Sequence, residues 1–163
     1  MTTEKFSLSL RLRHGEQALS AVAQQLHLPA GAGWDVGDNN TMLDGRPRAG
    51  VRRDSYRSYE LAEERECDLD DVLWAALRRL EPYNDIFRSL IESGGKASLV
   101  VGWFCDSAVG GDSVSSRTMA RLAQLNLSLD LHLYMTPAVA TNIDAAAKTR
   151  PSADSAETDA KGT

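Results

Sequence analysis

Asp130, His132 and Tyr134 occupy alternate positions of the segment SLDLHLYM, residues 128–135. A carboxylate, an imidazole and a phenol are the side chains of general acid–base chemistry. On an extended strand they share one face, but Cα atoms two residues apart are roughly 6.5–7 Å from each other. Proton transfer needs contact at about 2.6–3.2 Å, or one intervening water. Spacing alone therefore builds no relay. Leu129, Leu131 and Leu133 fill the other positions, and the same alternation describes a half-buried strand with its wet face outward. The second reading is favoured, with Asp130, His132 and Tyr134 as surface for a partner and no residue assigned a catalytic role.

Other chemistry-bearing types are sparse. His14 and His27 are the remaining histidines, and no HxxxH, HxH or CxxC spacing occurs, so no metal site or cofactor is read. The VGGDS segment, residues 109–113, precedes a helix but lacks GxxxxGK[ST] and GxGxxG; it reads as a turn rather than a phosphate cradle. Trp34 sits in the glycine-rich stretch GWDVGD with Asp38. An aromatic there is either a lid on the core or a binding anchor. Arg46, Arg48, Arg52, Arg53 and Arg57 crowd one loop and are followed by an acidic run from Glu60 to Asp71. Local charge pairing is the simple account; a site for an acidic partner or phosphate is the functional one. Trp74, Trp103 and Phe104 read as core.

The elements that must position these residues follow from periodicity. KFSLSLRLRH alternates Phe6, Leu8, Leu10 and Leu12 against Ser7, Ser9, Arg11 and Arg13, which predicts a half-buried strand. GEQALSAVAQQLHL carries Leu19, Val22, Ala23 and Leu26 at helical spacing, ended by Pro29. Residues 29–58 read as a long irregular loop, and YRSYEL as a short strand. Asp68 should cap a helix with Leu69, Val72, Leu73, Ala76, Leu77 and Leu80 on its apolar stripe; Pro82 should restart it, and Gly94-Gly95 stop it. KASLVVGWFCD is a central-looking strand. Ser115 or Ser116 should cap RTMARLAQLN, and Asn126 suits its C-terminal end. Leu10, Leu77, Val101 and Leu131 are expected to be buried together.

The order strand-helix-strand-helix-strand-helix-strand predicts an α+β single domain over residues 1–136, a sheet of about four to five strands with helices packed on one face. Residues 137–163 are rich in Ala, Thr, Ser and Asp and lack aromatics, the composition of a disordered low-complexity tail. The net charge of −5 argues against nucleic-acid binding, which favours a basic face. Cys67 and Cys105 are far apart in sequence and read as reduced thiols. With no apolar run of membrane length and no secretory leader, the reading is a soluble cytoplasmic protein.

Several segments together carry a family resemblance. They are the opening alternating strand, LHLPAGAGWDVGD, YRSYEL, DLDDVLWAALRRLEP, SLVVGWF and ARLAQLNLSLDLHLY. The most specific pieces are Trp34 with Gly37-Asp38, the Leu-Glu-Pro at 80–82, and Leu-x-Leu-Asp-x-x-x-Tyr at 127–134. Over roughly residues 5–135 the chain resembles the bacterial domain-of-unknown-function 4279 family. Where that family usually has Trp, this chain has Tyr59. The resemblance implies the fold and supplies no catalytic residues.

The leading functional expectation is a non-enzymatic protein-binding module, an immunity-type protein that neutralises a toxin being one form of it. Its binding surface would use Trp34, Asp38, Arg11, Arg13, Asp130, His132 and Tyr134, and its partner would be another protein. The competing expectation is an enzyme acting on a small polar or phosphorylated molecule, with His132 as base beside Asp130 or Tyr134.

Overall fold

A computed structural model describes residues 4–42, 44–105 and 111–135. The tail expected at 137–163 lies outside the described residues. The chain forms β1 (Lys5–His14), α1 (Ser20–Gln25), β2 (Ala30–Trp34), β3 (Asn39–Thr41), β4 (Pro47–Val51) and β5 (Ser55–Glu66). After these come α2 (Leu69–Leu80), a 3-10 turn at Glu81–Tyr83, α3 (Asn84–Glu92), β6 (Lys96–Cys105), α4 (Ser116–Gln124) and β7 (Ser128–Met135). The main sheet has five strands in the order β2-β5-β1-β6-β7, and β3-β4 is a separate hairpin. The fold is α+β, as the sequence predicts.

The helix ends form where local chemistry demands. Asp68 accepts from the Asp71 N–H at 3.1 Å and Ser115 from the Thr118 N–H at 3.2 Å. Each satisfies a backbone donor that the first helical turn leaves open. At the other ends, Gly94 (φ 93°) and Asn126 (φ 56°) adopt the left-handed conformation. The next N–H then returns to the helix, Gly95 to Leu90 and Leu127 to Leu122.

One core lies between the helices and one sheet face. Leu10, Leu77 and Val101 are fully buried within it, together with Phe6, Leu12, Tyr59, Leu73, Leu80, Phe87 and Leu99. Burying a leucine of this kind is worth about 1.5–3 kcal/mol. Leu131 does not join them: it is 45% exposed. It faces the helix side, opposite Val101, but it stands on β7, the edge strand of the sheet. Trp74 and Phe104 also lie outside the core cluster, while Trp103 packs against it, its ring 5.5 Å from that of Phe6.

Two further expectations change. The helix expected over 15–28 is only six residues long. His14 Nδ1 accepts from the N–H groups of Glu16 and Gln17 at 3.0 and 2.8 Å, while its Nε2 donates to the Ser93 carbonyl at 3.0 Å. Those two N–H groups are thus held in a turn before the helix begins, and His14 serves as a buried tie. The loop expected over 29–58 contains β2, β3, β4 and the start of β5, a strand of twelve residues. β2 reads AGAGW and β4 reads PRAGV, so neither carries the alternation that marks a strand. Gly31 explains the composition of β2: a Cβ there would stand 2.9 Å from the Ser58 carbonyl oxygen.

Candidate partner-binding face

Opposite residues in a sheet point to the same face, so strand register assembles the surface away from the helices. On β1 it carries Ser7, Ser9, Arg11 and Arg13. Ser58 lies opposite Arg11, and Tyr56 opposite Arg13, on β5. Trp34 lies opposite Tyr56 on β2. β6 adds Val100, Gly102 and Phe104, which stand opposite Asp130, His132 and Tyr134 on β7. All seven expected site residues except Asp38 therefore fall on one face of the sheet.

They form two groups. At one end Arg52, Trp34, Tyr56 and Arg13 stack in sequence. The Arg52 guanidinium is 4.1 Å from the Trp34 ring centroid, the two rings are 4.7 Å apart, and the Arg13 guanidinium is 5.0 Å from Tyr56. Cation–π contact of this kind contributes about 0.5–1 kcal/mol at an exposed site. Asp54 ties the stack, accepting from Arg13 and from the Trp34 indole N–H, both at 3.4 Å. Asp38 is engaged in the turn itself: its carboxylate accepts from the Asp35 N–H at 2.7 Å, and its carbonyl accepts from the Arg52 N–H at 2.8 Å. Asp35 holds the turn to the core edge, accepting from the Leu19 N–H at 2.8 Å and pairing with Arg57 at 3.0 Å. Gly37, at φ 88°, permits the reversal.

At the far end, Phe104 and Tyr134 stack at 4.9 Å with nearly parallel rings. Asp130, His132 and Tyr134 are all exposed. β6 separates β1 from β7, so Arg11 and Arg13 lie two strands away, about 10 Å across the sheet. The direct approach of those arginines to Asp130 that adjacent first and last strands would allow is not made. Between the groups, Ser7, Ser9, Ser58, Glu60 and Gly31 border a shallow depression of about 300 Å³. Arg11 Nε is shielded from solvent and finds no acceptor among the described residues.

The arginine-rich loop resolves into separate local contacts. Arg46 pairs with Asp44 at 2.6 Å, Arg52 donates to the Thr41 carbonyl at 2.8 Å, and Arg57 meets Asp35. Among the described residues no ion pair joins it to the acidic run that follows. Tyr56 belongs to the face but escaped the sequence reading, Arg52 was singled out only as one of the loop arginines, and Phe104, expected in the core, stands on the open face instead. Tyr56 alternates with Ser58 and Glu60, which was a readable signal. The face of Phe104 follows from the period of β6, but its stacking on Tyr134 depends on the parallel β6–β7 pairing, and nothing local encodes that.

A family model described as a domain of unknown function, DUF4279, matches residues 4–136. The chain belongs to the DUF4279 family. No curated protein and no solved structure matches it. The DUF4279 domain thus spans every described element, including both groups of the open face. At Tyr59, where the resemblance sets Trp, the side chain is fully buried on the helix side opposite Leu10, so an aromatic there serves the core. Among the described residues no helix is long and apolar enough to cross a membrane.

Proposed function

We propose that this DUF4279 chain is a non-enzymatic protein-binding module that docks its partner along the β7 edge and the adjoining open face. The supporting observation is β7 itself. Its eight residues pair with β6 without a register shift, and its other side ends the sheet. Leu131, Leu133, Tyr134 and Met135 are 45%, 57%, 49% and 47% exposed. An edge strand of this kind is a template for added strands unless charge, proline or a bulge blunts it. Residues 131–135 carry no Lys, Pro or bulge. Strand addition supplies affinity through main-chain hydrogen bonds, and His132, Tyr134 and the arginine–aromatic stack supply specificity. The exposure of Asp130 and His132 favours recognition over bond-breaking, which wants a concave, enclosed site. Within this reading, a toxin neutralised by the module is the specific partner class proposed.

The test is affinity capture from the native cell with wild type and with a Leu131→Lys, Leu133→Lys double variant. Wild type should retain one protein in stoichiometric amount, and the variant, melting at the same temperature, should lose it. Equal retention by both, or no retained protein, would defeat the proposal.

A further inference from the structure

The helix layer holds a second constellation, remote from the open sheet face. α2 and α4 lie side by side with their N-termini latched together. The Ser115 N–H donates to Asp70 Oδ1 at 2.8 Å, and the Leu69 N–H to Asp112 Oδ2 at 3.1 Å. Near the other end, Arg121 pairs with Glu81. Between these two ties the helices present facing stripes at one-turn spacing. α2 contributes Trp74 and Arg78, continued by Glu81, and α4 contributes Arg117 and Arg121. Together they line a cleft of about 370 Å³, within the size range of small-molecule sites. The Arg117 guanidinium lies 3.9 Å from the Trp74 ring centroid.

The charges do not balance. Three guanidiniums line the cleft against one carboxylate, Glu81. Glu81 is held below its ordinary range by its hydrogen bond to Arg121, then by the Arg121 charge, with Arg78 a smaller influence. Asp70 at the latch is held low mainly by the Ser115 N–H, and the Arg117 charge is the least of its causes. Arg78 and Arg117 thus face the cleft with no ion pair among the described residues. In a chain of net charge −5, two helices that turn arginines toward each other carry a repulsion that a bound anion would relieve.

We propose that the α2–α4 cleft binds a phosphorylated small molecule, its phosphate held by Arg78 and Arg117 and its organic part lying against Trp74. A phosphate dianion matches the two guanidiniums in charge, and the planar fork of arginine suits its oxygens. The cleft exceeds what the anion alone would fill. The site is independent of the sheet-face reading, and its failure leaves that reading intact.

The chain has three tryptophans, so each indole N–H gives a separable NMR signal, assigned by Trp→Phe substitution in the full chain. Inorganic phosphate and adenosine monophosphate are titrated at constant ionic strength. The Trp74 signal should move saturably while that of Trp34 stays fixed, and the nucleotide should bind more tightly than phosphate. Arg78→Gln and Arg117→Gln should each raise the midpoint about tenfold. Arg88→Gln, whose parent pairs with Asp85 on α3, should leave it unchanged. Linear, unsaturating shifts into the tens-of-millimolar range would overturn the site, as would midpoints indifferent to both cleft variants. Equal midpoints for the two ligands would overturn the organic half of the assignment.

Discussion

The two edges of the sheet are built in opposite ways. β2 is short, glycine-rich and shifted in register against β5. It runs directly into the GWDVGD turn, which Asp35, Asp38 and Ser55 fasten through backbone N–H groups at 2.7–2.8 Å. β7 is eight residues long, regular and apolar on the side that continues the core face. An unpaired row of backbone donors and acceptors is hazardous to a solitary protein, and edges are ordinarily shortened, bulged or charged against it. The β2 edge shows those devices and residues 131–135 of β7 do not. Where one edge of a sheet is guarded and the other left open, the open one is the natural place for a partner.

Substitutions at four sites would break or sharpen that contrast. The central strand sets the scale. Leu10→Ala should cost on the order of 2–5 kcal/mol in urea unfolding, because Leu10 is fully buried. Similar losses at Leu10 and Leu133 would erase the distinction between centre and edge. On the guarded edge, Asp35→Ala should cost roughly 2–3 kcal/mol. It strands the Leu19 N–H and leaves Arg57, 18% exposed, without its carboxylate. A change below half a kilocalorie would mean that the turn is ornamental to that edge.

On the open edge, Leu133→Ala should cost under about 1 kcal/mol, since half the side chain already meets water. Leu133→Lys should be equally mild and should lower binding of a hydrophobic dye. The smallest effect is expected at Tyr59, whose hydroxyl is buried and has no partner among the described residues. Tyr59→Phe should be neutral or slightly stabilising. Burial raises the Tyr59 pKa above the ordinary 10.0, so the folded state holds the phenolic proton more tightly than the unfolded chain does. The associated stability is complete below the unfolded value and is lost as pH rises toward and through the folded one. Stability scans at alkaline pH should therefore show a loss in wild type that the variant lacks.

The alternation in KFSLSLRLRH and in SLDLHLYM made both strands readable, and the acid and serine caps made α2 and α4 readable, because those signals are local. The face of each side chain was equally legible: Asp130, His132 and Tyr134 do lie opposite Leu129, Leu131 and Leu133. β2 was hidden because close backbone approach selects glycine at Gly31, which removes the apolar pattern a strand would show, and β4 because it is exposed along its whole length and buries no apolar face. Trp74 was assigned to the core by residue type, but on α2 it faces the groove beside α4, under Arg117.

Depth was the quantity the sequence withheld. Leu10 and Leu131 occupy the same phase of the same kind of pattern, yet one is at the centre of the sheet and the other at its rim. A period of two determines which way a side chain points, because it is a property of one strand's backbone. Whether anything lies above that side chain depends on strand order. Strand order comes from long-range pairing, here the antiparallel insertion of β1 between β5 and β6 and the parallel addition of β7 outside β6. The sequence by itself determined the elements, their caps and the polarity of their faces. Only the tertiary structure decided that β7 is an edge, that the arginine–aromatic stack sits at the opposite end of the same face, and that α2 and α4 turn their arginines toward one cleft.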